Sequence, residues 1–211
     1  MKSCVIIYHK NAAVIYKQEW IDKCINSIRN QTLQDFDVFE LNYGIDDNKY
    51  YEGSFFSSLE MPNHIHAMNA LIHAALKSNY DVIFNVNLDD YYAPKRFELQ
   101  VKEIMRGAQL VSSNFYYFSD EKGVFKNMNM NKYVNLDIQF RRNHNVIAHP
   151  VVAYHKSFFD GGLTYKDKLG YEDLVLWKEA LAANKRFVIL PDYLLHYRIH
   201  ENQITKTHIG L

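Results

Sequence analysis

Apolar positions along the first half of the chain alternate between short continuous runs and helical spacing. Residues 3–8, SCVIIY, read as a buried strand. In residues 18–30, Trp20, Ile21, Cys24, Ile25 and Ile28 recur along one face of a helix. FDVFEL (36–41) reads as a second strand, HIHAMNALIHAALKS (64–78) as a second helix and DVIFNVNL (81–88) as a third strand. A third helix is predicted to open at Pro94, a residue suited to a first helical turn, and to run to about Arg106. These β-α units, with short connections, predict a parallel sheet with helices on its faces. Residues 42–63 are too long for a tight connection and are expected to be mobile or ligand-binding.

Beyond residue 108 the pattern changes. QLVSSNFYYF and GVFKN predict an antiparallel hairpin around SDEKG. Residues 171–183 predict a helix with Leu174, Trp177, Ala180 and Leu181 on one side, and RFVIL and YLLHYRIH predict closing strands. There is no repeat, low-complexity tract or linker, so a single α/β domain is expected.

Within the third strand, Val82, Phe84, Val86 and Leu88 share one face, while Asn85, Asn87 and Asp89 share the other. Polar residues gather only at its carboxyl end, the end at which ligands bind in open α/β sheets. Asp89 could hold a divalent cation, which takes a carboxylate or two together with substrate phosphates and waters. Equally, Asp89 and Asp90 could simply begin a turn. Glu172 and Asp173 open the helix at 171–183, where acidic residues also favour the helix dipole without any further purpose. His196, Arg198 and His200 alternate along one side of the last strand, as structural histidines also do.

Composition narrows the function classes. With 48% hydrophobic residues the chain is a packed globular protein. Lys plus Arg balances Asp plus Glu at 24 each, so no global field favours nucleic acid or an anionic membrane. Cys4 and Cys24 form neither a metal-ligand spacing nor a disulfide framework, and read as reduced core residues. No apolar run approaches the ~20 residues of a membrane span, and none suits a signal peptide. A soluble, cytoplasmic protein is therefore the expectation.

Taken in order, these segments resemble the inverting family 2 glycosyltransferases of the GT-A fold over nearly the whole chain. VIIYHKN resembles that family's first strand and donor loop, and WIDKCINSIRNQTLQDFDVFEL its first helix, turn and second strand. HAMNALIHAALKSNYDVIFNVNLDDYYAP is similar to the segment that ends in its DxD-type motif. AHPVVAYHKSFFDGGLTYKDKLGYEDLVLW resembles the acceptor side with its Glu-Asp signature, and YRIHENQIT the closing Tyr-Arg-x-His segment. The resemblance implies a mainly parallel central sheet flanked by helices, with a small antiparallel extension. It divides the single domain, 1–211, into a nucleotide-sugar half to about 107 and an acceptor half from about 108.

It also implies site roles. Asp89 would be the metal-binding carboxylate and His200 a further contact to metal or diphosphate. Tyr8, His9, Asn11, Asn42, Asn69, Asn87 and Leu88, with Asp89, would line the nucleotide-sugar site. Asp173 would be the catalytic base, with Glu172 beside it near the acceptor, and Trp177 and Asp90 would contact the acceptor. At a helix N-terminus, Asp173 is expected to be ionised at pH 7 but weakly basic. Tyr91, Tyr92 and Trp177 offer ring faces to sugars, although core packing suits them equally.

The chain departs from the family pattern in Asn42 and Tyr43, which replace paired aspartates, in Asn87 for the first aspartate of DxD, in Met68 for a basic residue and in Glu179 for an arginine. Diphosphate affinity is thereby expected to rest more on metal and backbone. The implied reaction is metal-assisted transfer, with Mn2+ or Mg2+, from a nucleotide-diphosphate sugar, UDP being expected. The acceptor would be a hydroxyl on a glycan, lipid-linked or protein molecule. The rival readings are a non-catalytic nucleotide-sugar or glycan binding protein on the same fold, since fold alone does not establish activity, and a nucleotide-sugar hydrolase. Oligomeric state is left open.

Overall fold

The computed structural model describes residues 1–133, 135–201 and 203. The end of the Tyr-Arg-x-His segment, at Asn202, Ile204 and Thr205, lies outside the described residues. Strands β1 (Ser3–His9), β2 (Asp37–Asn42), β3 (Phe55–Ser58) and β4 (Val82–Val86) lie parallel in the order β3-β2-β1-β4. The chain moves outward from β1 to β2 and then returns to its other side with β4. That reversal opens a crevice at the carboxyl ends of β1 and β4. Helices α2 (Gln18–Arg29), α3 (His64–Lys77) and α4 (Arg96–Met105) form the crossovers, and a short α1 (Ala12–Ile15) follows β1. The five residues the spacing places on one face of α2 are the ones it buries. Asn63 caps α3, its side chain accepting from Ile65 N at 3.0 Å and His66 N at 3.3 Å.

Pro94 sits in the turn before α4 rather than inside it, where its carbonyl accepts from Thr32 N at 2.8 Å. The long segment after β2 is tied down. The Glu40 carboxylate, on β2, accepts from Tyr50 N at 2.7 Å, Tyr51 N at 2.9 Å and Ser54 Oγ at 3.0 Å.

Beyond β4 the sheet becomes mixed. Strand β8 (Ala153–His155) runs antiparallel between β4 and β6 (Leu110–Ser119). The predicted hairpin forms between β6 and β7 (Gly123–Met128). The two predicted closing strands are one, β9 (Phe187–Arg198), parallel to β6 and paired on its other edge with the two-residue β5 (Tyr91–Tyr92). Pro191 lacks an N–H for the ladder, and the β6–β9 register shifts between Ser113 and Phe115. Asn114 Nδ2 donates to the Pro191 carbonyl at 2.8 Å across that irregularity.

The seam between β4 and β8 is held by a fully buried arginine. Arg96 donates to the carbonyls of Asn85 at 2.6 Å and Val152 at 3.2 Å and stacks over Tyr92. Burial lowers its pKa to about 10, so it stays charged at neutral pH. Helices α5 (Leu136–Arg141) and α6 (Glu172–Ala182) complete the second half. Among the described residues, no helix is long and apolar enough to cross a membrane.

Candidate active site

Where β1 and β4 diverge, Tyr8 donates its hydroxyl to Asn87 Oδ1 at 3.2 Å. Asn85 Nδ2 donates to the His149 carbonyl at 3.3 Å, tying the strand end to the segment that crosses it. Asp89 stands at the tip, with His200 Nε2 3.0 Å from its Oδ2. Arg198 Nε donates to the Asp89 carbonyl at 2.8 Å, and Arg198 N donates to Asp90 Oδ1 at 2.8 Å. The two adjacent carboxylates therefore part company. Asp89 is half-buried and faces His200, whereas Asp90 is 1% exposed and anchors the end of β9. Asp90 is thus a strand-locking residue and not the acceptor contact the resemblance implied. Leu88 is 2% exposed, so its side chain belongs to the core.

Asp89 and His200 could hold a divalent cation. The His200 Nδ1 atom is buried and has no hydrogen-bond partner among the described residues. No group of three His, Cys, Asp or Glu side chains converges anywhere among those residues. The protein would thus supply one carboxylate and one imidazole, leaving the remaining positions to diphosphate oxygens and water. That donor set fits hard cations that keep several waters and bind through substrate phosphates.

The other expected donor residues are occupied internally. Asn11 adopts a left-handed conformation, φ 48°, and its Oδ1 accepts from Ile45 N at 2.9 Å and Asp46 N at 3.1 Å. Asn42 is fully buried, its Oδ1 accepting from Asn11 N at 3.1 Å and Gly44 N at 2.9 Å. Its Nδ2 donates to the Asp46 carbonyl at 2.7 Å and to the Asp46 carboxylate. A Cβ at Gly44 would stand 2.1 Å from Asn11 Oδ1, so the close approach requires glycine. These two asparagines therefore shape the loop after β2, and Asn42, bonded through both its oxygen and its nitrogen, has little capacity left to read a base.

His9 is buried against Glu40, Nε2 to Oε1 3.4 Å without hydrogen-bond alignment, and packs edge-on to Tyr50. It lies beneath the loop instead of lining the crevice. Asn69 fastens α3 to the segment before α6. It accepts from Thr164 Oγ1 at 2.8 Å and Tyr165 N at 3.1 Å, and donates to the Tyr165 carbonyl at 2.9 Å.

The first turn of α6 meets a cluster of polar groups in which His64, Tyr154 and Tyr165 are buried, His149, Glu172 and Asp173 are half-buried and Asn145 is exposed. Asp173 Oδ2 accepts from Asn145 Nδ2 at 2.6 Å, and its Oδ1 accepts from Leu174 N at 2.6 Å. Burial, assisted by the neighbouring Glu172 charge, raises the Asp173 carboxyl to about 6. The expectation of a weak base is overturned because desolvation outweighs the helix N-terminus. Glu172 is also raised by burial. Its hydrogen bond with His64 Nε2, 2.8 Å, carries it below the usual range nonetheless.

His149 Nε2 lies 2.8 Å from the Tyr165 hydroxyl, which also bonds the Tyr154 hydroxyl. Burial lowers His149 to about 4, so it is neutral at pH 7. Tyr8 feels the Glu172 charge while bonding Asn87, which links the two ends of the site.

Trp177 is 0% exposed, packed among Tyr154, Phe158, Tyr165 and Phe187, and is core instead of an acceptor stack. Tyr92 is buried, and Tyr91 stacks on His196 under the Lys23 ammonium, so neither offers a free ring face. Asn145, His149, Tyr165 and His64 were not expected from sequence. The one available signal was His64, a polar residue on the face of α3 that carries Ile65, Met68, Leu71 and Ile72.

A crevice at the switch point of a β3-β2-β1-β4 sheet, with an Asp–His pair at one strand end and acidic residues opening the helix across from it, is the arrangement of a GT-A glycosyltransferase. The chain belongs to Glycosyl transferase family 2, whose sequence model matches residues 4–162. It is 27% identical over 212 residues to the O-antigen biosynthesis glycosyltransferase WbnJ of Escherichia coli, covering 92% of this chain and 80% of that protein. It is 22% identical over 207 residues to the amylovoran biosynthesis glycosyltransferase AmsE of Erwinia amylovora, covering 90% and 74%. Among solved structures it resembles S. aureus TarS 1-349 in complex with UDP-GlcNAc, with a TM-score of 0.73 at 16% identity over 98% of this chain. It also resembles the mannosyltransferase PcManGT from Pyrobaculum calidifontis, in complex with GDP-Man and Mn2+, with a TM-score of 0.65 at 10% identity over 96% of this chain. The match spans 61% of the TarS chain and 58% of the PcManGT chain, and at these identities what is shared is the fold.

Proposed function

We propose that the chain transfers a sugar from a nucleoside-diphosphate sugar, with UDP the expected nucleotide, to an acceptor hydroxyl with inversion at the anomeric carbon. The observation that carries this reading is the pair of carboxylates held at a strand end and a helix end: Asp89, after β4, with His200 Nε2 at 3.0 Å, and Asp173, in the first turn of α6, with Asn145 Nδ2 at 2.6 Å. TarS with UDP-GlcNAc and PcManGT with GDP-Man support a nucleotide-sugar donor at the switch point. Relatives named for O-antigen and amylovoran biosynthesis support a saccharide acceptor.

In this mechanism Asp89 and His200 would hold the metal, and Mn2+ or Mg2+ bound there would supply positive charge against the departing diphosphate. Asp173 accepts the proton of the acceptor hydroxyl as its oxygen bonds to the anomeric carbon. The bond from that carbon to the diphosphate breaks on the opposite face, and its electron pair leaves with the diphosphate oxygen. A base near neutrality suits this step, because it is ionised at pH 7 yet still draws the proton. Asn145 fixes Asp173 Oδ2, and Tyr8 ties Asn87 to the donor end.

The test incubates the chain with UDP-GlcNAc, UDP-Glc or GDP-Man, Mn2+ and simple saccharide acceptors, and reads the new glycosidic bond by NMR. An anomeric configuration opposite to that of the donor is expected. A retained configuration, or release of free sugar indifferent to any acceptor, would overturn the proposal.

A further inference from the structure

Glu172 and His64 form a pair that the transfer reaction, as described, leaves without a role. Their side chains are only 14% and 9% exposed, and Nε2 of His64 lies 2.8 Å from Oε1 of Glu172. They come from the first turns of α6 and α3, elements far apart in sequence. Glu172 Oε1 is occupied by this bond, and Oε2 is buried with no partner among the described residues. Glu172 directly precedes Asp173 in the first turn of α6.

The charged and titratable groups facing the two carboxylates come from every neighbouring element. Tyr8 lies on β1, Tyr154 on β8, Tyr165 in the segment before α6, and His149 in the turn before β8. The uncharged Asn145, from the loop after α5, bonds Asp173. Burial holds the three tyrosines protonated and His149 neutral. Among the described residues no lysine or arginine comes within ion-pair distance of either carboxylate. His64 is thus the only ion-pair partner either of them has there.

We propose that His64 and Glu172 are positioning residues for the base: His64 fixes Glu172 as a carboxylate, and that fixed negative charge keeps Asp173 proton-accepting at neutral pH. The proposal deepens the transferase reading and rests on it. The physics is that of two neighbouring carboxyls that cannot both ionise freely. A hydrogen bond to the charged form decides which ionises first. Glu172 has its bond from His64, so it ionises first and Asp173 keeps its proton to higher pH. The N–H of Leu174 and the Asn145 amide pull Asp173 the other way, and prevent the proton from being held so tightly that the base is lost. Burial is the larger influence on Asp173, so the Glu172 charge adjusts its basicity without creating it.

The test is carboxyl 13C NMR of the full chain labelled in aspartate and glutamate, with Asp173 assigned by the signal missing from Asp173→Asn. In the wild type Asp173 is expected to titrate at about 6. Glu172→Gln is expected to lower that midpoint by roughly one unit and to move the acid limb of the transfer pH profile down with it. Glu172→Asp keeps the charge, so its Asp173 midpoint stays high although the His64 bond is weakened; a purely structural role would not separate these variants. If Glu172→Gln does not fold, His64→Leu carries the test, with Glu172 expected to titrate at higher pH and the two carboxyls to titrate as a coupled pair. An Asp173 midpoint unmoved in folded Glu172→Gln, or a Glu172 midpoint unmoved in His64→Leu, overturns the proposal and leaves the transferase reading standing. Absence of transfer by the wild type from UDP-GlcNAc, UDP-Glc or GDP-Man would overturn the transferase reading, and transfer that survives Asp173→Asn would remove Asp173 as the base, neither of them touching the titration result.

Discussion

Asp173→Asn is expected to lower the transfer rate by about 10²–10⁴-fold while nucleotide binding is unchanged. The substitution keeps the size of the side chain and an oxygen for the Asn145 amide to bond, but removes the group that accepts the acceptor proton. On the proposed reading the nucleotide binds at the Asp89 end, so the loss should fall on turnover. The wild-type profile should show the same group. A base must be ionised to work, and Asp173 is protonated below a pKa of about 6. Transfer efficiency should therefore fall as pH drops through that value and level off above it. Asp173→Asn should lack this acid limb. Initial rates across pH 4.5 to 8 with saturating metal provide the check. A variant that keeps near-wild-type rates would assign the proton to another group.

Trp177→Ala is expected to destabilise the fold by ~3–5 kcal/mol, measured by urea or thermal unfolding. The indole is fully buried where α6 meets Tyr154 of β8, Phe158, Tyr165 and Phe187 of β9. Its removal leaves a cavity under the first turn of the helix that presents Asp173, so activity should fall with stability. An acceptor-stacking tryptophan would behave otherwise, with weaker acceptor binding in a chain of normal stability. A change below ~1 kcal/mol would contradict the core assignment.

Much of the first half was legible because its signals are periodic. The run at residues 3–8 and the spacing of Trp20, Ile21, Cys24, Ile25 and Ile28 each admit one buried arrangement, and the structure adopts it. The three-residue β8 and the six-residue α5 are too short to carry a period, and both escaped sequence reading. The continuity of β9 through Pro191 was also hidden, since a proline inside an apolar run normally reads as a break.

The site was legible by placement and less so by role. The strand pattern put Asn87 and Asp89 at the carboxyl end of β4, where the crevice lies. Residue type alone could not tell which polar atoms the fold uses for itself. Asn11, Asn42 and Asn69 bond backbone across long separations. Asp90 turns inward to Arg198 while Asp89, one residue earlier, turns to His200. The higher basicity of Asp173 was not legible because the helix dipole is visible in sequence and desolvation in the folded chain is not.

The most direct test of the account is calorimetric titration of UDP, then GDP, with and without Mn2+, into the wild type and Asp89→Ala. Manganese-dependent binding of a nucleoside diphosphate by the wild type, lost in Asp89→Ala, is the predicted result. Binding that is equally strong without metal and in Asp89→Ala, or no binding of either nucleotide, would contradict the assignment of this crevice as a metal-assisted donor site.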